Sequence, residues 1–376
     1  MDFTPTEEQR SVEQLAQKMF SEQVNDDYLK AWQDDQPSFD GSLWKMIGDA
    51  GLIGVTGSAD HGGIDLGFLE LIAILEAQGS VLAGLPLYQS IVVAQVIEEF
   101  AIETTRQALL PPVFAGDGHF ALGLEGAARE GLGTPLQSDG KTLSGAVSDV
   151  AFAAGASAIL VAVALYEKTP NQNGKQVALY LLDPAKDSLS FEQQDTTYRH
   201  AHYRISFDQL NIDPERLFIG PEVLESVLQR SYVALAALQL GVVEAVLQRT
   251  AQYTIERQQF GKAIASFQAV SHRAADGYVD CAALRACVLQ AAWRLSEGLD
   301  ATTEARSAKW WATEAGHRIS HTAQHLHGGI GSDLDYPIHR YFRWAKQIEF
   351  TLGGGQEQLA QLGRLLAENS ELGIVV

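Results

Sequence analysis

The sequence predicts an α+β chain of several domains: an N-terminal all-α domain over residues 1–117, a middle β-barrel or sandwich domain over 118–220, and a C-terminal four-helix bundle over 221–376. Three observations lead there. Up to Asp117 apolar residues recur at three and four, as in QRSVEQLAQKMF and LGFLELIAILEAQ, the spacing of one helix face. Between Gly118 and Gly220 the texture changes to short runs, TLSGAV, AILVAVALY and QVALYLLD, bounded by Gly, Asp and Asn clusters that include NQNG, which is how strands and turns read. From Pro221 to Asn369 long helical patterns return.

Taken in order, the first helix starts at Thr4 or Thr6 as a hydroxyl cap, with Glu7 and Glu8 in its first turn. The bundle is read from VLESVLQRSYVALAALQLGVVEAVLQRTAQY, FQAVSHRAADGYVDCAALRACVLQAAWRL and TTEARSAKWWATEAGHRISHTAQHL, with a shorter helix after Gly355. There is no βαβ alternation, so a Rossmann unit is excluded and any cofactor is held another way. Repeats and low-complexity tracts are absent.

Length and charge bound the function. At 376 residues the chain has room for two to three domains and a sizeable core. Lys and Arg number 27 against 47 Asp and Glu, a net charge of −20, which opposes nucleic acid and anionic membranes as partners. The longest apolar stretch, Ala151 to Tyr166, is shorter than the roughly 20 residues of a membrane span and contains Gly155. Cys281 and Cys287 fall on different faces of one helix and cannot bridge, and the start MDFTPTEEQR lacks the pattern of a secretory signal. Together these predict a cytoplasmic protein.

Two local patterns bear on chemistry. In Arg257-Gln258-Gln259-Phe260-Gly261-Lys262, followed by Ala263 to Gln268, two cations flank a Gly turn before a new helix N-terminus. Free backbone N–H groups and a guanidinium there can meet a pyrophosphate. The plainer reading is a helix-turn-helix with a Gly C-cap and solvated cations. In His325-Leu326-His327-Gly328-Gly329-Ile330-Gly331 the glycines end a helix and let a ligand approach the backbone. The two histidines lack an acid or cysteine to complete a zinc site, so no metal is expected and half-buried histidines are the plain account. Gly353-Gly354-Gly355 alone reads as a loop.

In this order and spacing, RQQFGKAIASFQAVSHRAAD, HLHGGIGSDLDYPIHRYFRWAK and GGGQEQL, at the end of an α-β-α chain, resemble the acyl-CoA dehydrogenase family. LWKMIGDAGLIGV and HGGIDLGFLE resemble that family's N-terminal helix and GGxG turn, so the likeness covers nearly the whole chain. It implies FAD, an acyl-CoA substrate, and α,β-dehydrogenation in which a glutamate takes the α-proton while the β-hydride passes to the flavin. Electrons then leave to an electron-transfer flavoprotein. The family resemblance also implies that each FAD spans two subunits, one holding the isoalloxazine and its mate holding the ADP half. On the ADP side Arg257, Phe260, Gly261, Phe267, Gln268, Leu326, His327, Gly328, Gly329 and Gly331 match the family motifs. His325 stands in place of the motif Gln, and Gln356 falls at the adenosine-side Gln.

On the flavin side the resemblance implies loss. The family's Thr-Glu-Pro stretch aligns with Leu124-Glu125-Gly126-Ala127-Ala128-Arg129, and its Trp-Ile-Thr-Asn stretch with Asp149-Val150-Ala151-Phe152. The catalytic Glu aligns with Leu352, and the alternative family position is Ser231; neither side chain accepts a proton. Glu349, one turn before Leu352 if that segment is helical, is the nearest substitute; its plain reading is a solvated carboxylate beside Lys346. Arg340 and Arg343 read as packing and ion-pair residues.

The expectation is a non-catalytic chain of an α2β2 acyl-CoA dehydrogenase, like those acting on steroid side-chain CoA thioesters, active only with a homologous partner chain. The alternatives are a self-contained, monooxygenase-like flavin enzyme and a non-enzymatic scaffold that binds a CoA thioester or a partner.

Overall fold

A computed structural model describes residues 4–35, 39–128, 136–138, 141–166 and 175–368. The NQNG turn at 171–174 and Arg129 lie outside the described residues. The chain resolves into two compact units that each draw on separate stretches of sequence: residues 1–35, 68–83 and 232–376 form one, and residues 36–67 and 84–231 the other.

The first unit is helical. Helix α1 (Glu7–Gln23) starts at Thr6, not Thr4: the Thr6 hydroxyl accepts from the Gln9 amide at 3.1 Å while Gln9 Oε1 accepts from the Thr6 amide at 3.0 Å. Such a reciprocal box stabilises a helix start by about 1 kcal/mol. After α2 (Asp26–Asp35), the chain re-enters this unit as α4 (Phe68–Ser80), the intervening α3 (Gly41–Asp49) belonging to the second unit. Ala16 and Phe20 of α1 are fully buried, as are Leu71, Ile74 and Leu75 of α4.

Helix α8 (Pro221–Glu256) crosses α4 at glycines on both sides. A Cβ on Gly241 would stand 2.1 Å from the Glu76 carbonyl oxygen, and one on Gly79 would stand 2.2 Å from that of Leu238. Only glycine allows two helix backbones to touch in this way. Beside the crossing, Arg285 of α9 (Gln268–Ser296) bridges Glu76 at 2.9 Å and Glu244 at 2.6 Å. Helix α10 (Thr302–His327) packs on α9, α11 (Ile338–Phe350) and α12 (Gly355–Glu368). The sequence reading foresaw α8, α9, α10 and α12; α11 is an addition, whose Ile338, Tyr341, Trp344, Ala345 and Ile348 form its buried stripe. Cys281 and Cys287 are free thiols on α9, and burial pushes the Cys281 thiol up to about 12, which keeps it unreactive.

Among the described residues one helix, Glu222–Glu256, is long and apolar enough to cross a membrane, and 78% of its most apolar window is buried inside the protein. It is a core helix, and its apolarity comes from being enclosed on most sides.

The second unit holds α3, α5 (Leu87–Phe100), α6 (Glu103–Phe114), the single-turn α7 (Glu125–Ala128) and an eight-stranded sheet. Its strands are β1 (Phe120–Gly123), β2 (Leu136–Ser138), β3 (Thr142–Ala151), β4 (Ala158–Tyr166), β5 (Lys175–Leu182), β6 (Ser190–Gln194), β7 (His202–Asn211) and β8 (Leu217–Ile219). The order is β6-β7-β3-β2-β4-β5-β8, with β1 lying parallel to β4 ahead of β2. Strand β4 is buried from Ala158 to Ala164, which is why AILVAVALY is apolar without alternation. At the end of α3, Lys45 Nζ donates to the Ala115 carbonyl at 2.8 Å and Trp44 Nε1 to that of Gly118 at 2.9 Å, fixing the entry into β1.

Candidate functional site

The Arg257 motif is a β-hairpin and not the Gly-capped turn of the plainer reading. Helix α8 ends at Glu256, and β9 (Gln258–Gln259) pairs antiparallel with β10 (Lys262–Ala263). The two loop residues, Phe260 and Gly261, have φ of 53° and 79°. A two-residue turn of type I′ has positive φ at both central positions, which Gly261 accepts freely and Phe260 adopts under strain. Phe260 is 92% exposed, so nearly all of its ring surface faces outward. Lys262 Nζ sits 4.4 Å from the centre of the Phe267 ring, and the Phe260 and Phe267 rings meet edge-on at 6.2 Å. Phe267 precedes α9 without a side-chain cap, so the first N–H groups of α9 stay open beside the exposed Gln268 and Arg257.

The second motif is tied to this hairpin by one stack. Tyr253, in the last turn of α8, stacks on His327 at 4.3 Å and 23°, and Tyr336 sits beside both rings, 5.4 Å from His327 and edge-on to Tyr253 at 6.4 Å. The pair of histidines is not equivalent. His325 is exposed, while His327 is 3% exposed and places Nδ1 2.8 Å from the Ala323 carbonyl oxygen. A carbonyl only accepts, so Nδ1 carries the proton and Nε2 is a buried acceptor without a partner among the described residues. Burial holds the His327 imidazole below its ordinary pKa, in the neutral form.

Gly328 has φ 64° and ψ −141°, a combination open to glycine alone, and a Cβ on Gly328 or Gly329 would meet nothing within 4 Å. Those two glycines therefore leave a bare backbone surface facing outward. Gly331 serves packing instead: a Cβ there would lie 2.5 Å from Gln324 Oε1. The loop that follows is anchored by an ion pair between Lys30 of α2 and Asp335.

Gln356 stands apart from these two motifs. It is exposed in the first turn of α12, whose Gly355 abuts Thr313 and Trp310 in the middle of α10, about 20 Å of helix from His327. The preceding loop carries Leu352, 3% exposed at φ 57°, and Gly353 at φ 95°. Gln358 Nε2 donates to the Leu352 carbonyl at 3.2 Å. Lys309, fully buried, donates to the carbonyls of Ile348 at 2.8 Å and Glu349 at 3.3 Å, satisfying the C-terminal turn of α11.

At the two positions that the sequence reading aligns with the family's base, Leu352 is enclosed and Ser231 is fully buried on α8, its hydroxyl without a hydrogen-bond partner among the described residues. Glu349 is not the solvated carboxylate of the plain reading: it is 8% exposed, 2.6 Å from Lys346 Nζ and 3.5 Å from His317 Nδ1. Arg340 is 2% exposed and packs as expected.

In the second unit, Asp149 and Phe152 have φ of 62° and 55°, and the β3–β7 register shifts between Val147 and Val150. Asp149 accepts from His202 Nδ1 at 2.5 Å. Leu124 is 1% exposed. Burial first, and His202 second, lower the His200 pKa to about 3.

Chemically, the first unit offers a cation, an exposed aromatic ring, an open helix start and a bare glycine backbone at linked points. That donor set suits a phosphorylated, planar ligand such as the ADP half of FAD. The second unit offers no such surface at Asp149–Phe152, where side chains fill the space.

The residues that match "Acyl-CoA dehydrogenase, N-terminal domain" are 6–117, and those that match "Acyl-CoA dehydrogenase, C-terminal domain" are 220–367. Acyl-CoA dehydrogenase FadE27 of Mycobacterium tuberculosis (strain ATCC 25618 / H37Rv) is 34% identical, covering 98% of this chain and 99% of its own. Two solved structures are similar throughout. The Tcur3481-Tcur3483 steroid ACAD G363A variant has a TM-score of 0.88 at 37% identity, covering 97% of this chain and 99% of its own. The ChsE4-ChsE5 complex from Mycobacterium tuberculosis has a TM-score of 0.89 at 34% identity, covering 98% and 100%. The fold is that of an FAD-dependent oxidoreductase acting on acyl-CoA thioesters. The chain belongs to the acyl-CoA dehydrogenase family.

Proposed function

We propose that this chain is the non-catalytic member of a heteromeric acyl-CoA dehydrogenase, contributing the ADP-side contacts of an FAD whose isoalloxazine is seated in a homologous partner chain. The observation that carries the reading is the contrast between its two halves. Leucine and serine occupy both positions of the family's base and are buried, whereas the hairpin holds Phe260 92% exposed with Arg257 beside it. An aromatic side chain this exposed, on a strained backbone, is suited to meeting a group outside its own chain.

In this assignment Arg257 pairs with the pyrophosphate, Phe260 and Phe267 flank the adenosine, and Gly261 allows the turn that presents them. Gln268 adds a polar contact at the α9 start. Gly328 and Gly329 form the backbone surface against which the phosphates lie, Gly331 packs behind them on Gln324, and His325 replaces the usual amide contact. Gln356, about 20 Å along α10 from these glycines, is proposed as a separate adenosine-side contact and not as part of this cluster. When bound, FAD supplies the acceptor for the hydride from the acyl β-carbon. This chain binds and orients the ADP half; abstraction of the α-proton is left to the partner. The Tcur3481-Tcur3483 steroid ACAD and the ChsE4-ChsE5 complex support a homologous partner chain and a steroid-type CoA thioester as substrate. The α2β2 stoichiometry, the side-chain position of the acyl group, an electron-transfer flavoprotein as acceptor and a cytoplasmic setting are proposed with them from the family resemblance. The divisions 1–117, 118–220 and 221–376 are proposed as its N-terminal all-α, middle β and C-terminal four-helix-bundle domains.

Arg257→Ala in the assembled complex tests this. Loss of a bidentate guanidinium–phosphate contact is worth about 2 kcal/mol, so FAD affinity should fall roughly 10- to 100-fold with the fold intact. FAD content of the complex that is unchanged by the substitution would remove the ADP-side assignment.

A further inference from the structure

We infer that the chain closes its own isoalloxazine site with an aromatic plug built on Phe152, so that its second unit folds without a flavin ring and has no slot for one. The inference deepens the function proposed above and rests on its alignment of Asp149–Phe152 with the family's flavin-face stretch.

The Phe152 ring is 4% exposed. It meets Phe39 edge-on at 5.8 Å and His200 at 5.5 Å. Phe39 in turn meets His119 edge-on at 4.8 Å and Trp44 at 5.7 Å, and His200 meets Tyr198 edge-on at 4.5 Å. A planar tricycle needs a flat slot with a parallel surface on each side, whereas rings interlocked edge-to-face fill space in three directions. The backbone is pinned as firmly as the ring. Phe152 N donates to the Ala201 carbonyl at 2.7 Å, and the Phe152 carbonyl accepts from His119 Nε2 at 2.8 Å.

Two features mark this as a built arrangement. Phe152 holds φ at 55° without being glycine, a conformation that persists only where surrounding contacts over-determine it. Gly84 has no side chain because a Cβ there would lie 2.5 Å from His200 Nε2, so the backbone itself presses on the cluster. Beside the plug, Asp149 is engaged by His202 at 2.5 Å and offers a flavin neither a ring to stack on nor a hydroxyl. Restoring the family's Trp and Thr would therefore not restore the site, because the ring of Phe152 and the inverted backbone would remain.

Riboflavin, which carries the isoalloxazine but no ADP, is the probe. Titrated into the full-length chain, it should show no fluorescence quenching and should not raise the unfolding midpoint. Phe152→Ala should lower that midpoint by roughly 5 °C through the cavity it leaves. Should that variant fail to fold, Phe152→Leu, which keeps most of the volume, should show a smaller loss. Stoichiometric riboflavin quenching by the unaltered chain would overturn the inference. So would a Phe152→Ala or Phe152→Leu protein as stable as the parent, since the ring would then fill nothing. The ADP-side assignment is read separately from FAD content in the Arg257→Ala complex, so either can fail alone.

Discussion

Gly241→Ala is expected to destabilise the first unit by about 3 kcal/mol or more, the upper end of what overpacking costs. The added carbon would stand 2.1 Å from the Glu76 carbonyl oxygen and 2.9 Å from the Ser80 amide. Both neighbours are helix backbone and cannot swing aside, so α4 and α8 must separate and loosen a core that includes Leu71, Leu75 and Val242, all fully buried. The gain in helix propensity on replacing glycine, up to about 1 kcal/mol, is too small to offset this. Gly363 is the control: it is exposed in α12 and a Cβ there meets nothing within 4 Å, so Gly363→Ala should be neutral or slightly stabilising. Urea unfolding of the two variants measures the difference; equal stability would mean that the helices do not cross as closely as the geometry has them. The crossing matters for function because α8 ends in the Arg257 hairpin, whose placement follows that of the helix.

Acidification should weaken the second unit through His200. Its pKa falls from 6.5 to about 3 on folding, because burial and the nearby His202 disfavour the charged ring. Above pH 6.5 the ring is neutral in both states and costs nothing. As pH falls below 6.5 the unfolded chain takes up a proton that the folded chain refuses, so stability is lost progressively down to about pH 3. At pH 5 the loss from this one group is about 2 kcal/mol. His119 also has a lowered pKa from burial, so the diagnostic is a difference: His200→Gln should remove about 2 kcal/mol of the stability change between pH 7.5 and pH 5. Equal pH dependence in parent and variant would contradict the enclosure of His200.

The sequence was informative where local rules act alone. The Thr6 cap, the apolar β4 run and the three long helices follow from spacing and side-chain chemistry. The alignment of Leu352 with the family's base, counted from Gly353 and Gly354, rests on the resemblance alone. Helix α11 was readable in principle from Ile338, Tyr341, Trp344, Ala345 and Ile348, but its charged residues and the preceding Pro337 masked the stripe. The hairpin was hidden because a Phe at positive φ breaks the expectation that glycine marks such positions; the same holds for Asp149 and Phe152. His325 and His327 are two residues apart and identical in type, so their opposite burial needed the Tyr253 stack to be seen. The interleaving of the two units is a tertiary property that no local window carries.

Flavin stoichiometry is the most direct test of the account, measured from the visible spectrum and subunit composition for the chain purified alone and together with a homologous partner chain. A shared site predicts little flavin on the chain alone and one FAD for each pair of unlike chains in the complex. A full FAD on every copy of this chain in a homo-oligomer would contradict it, and would require an isoalloxazine seat and a proton acceptor elsewhere in the molecule.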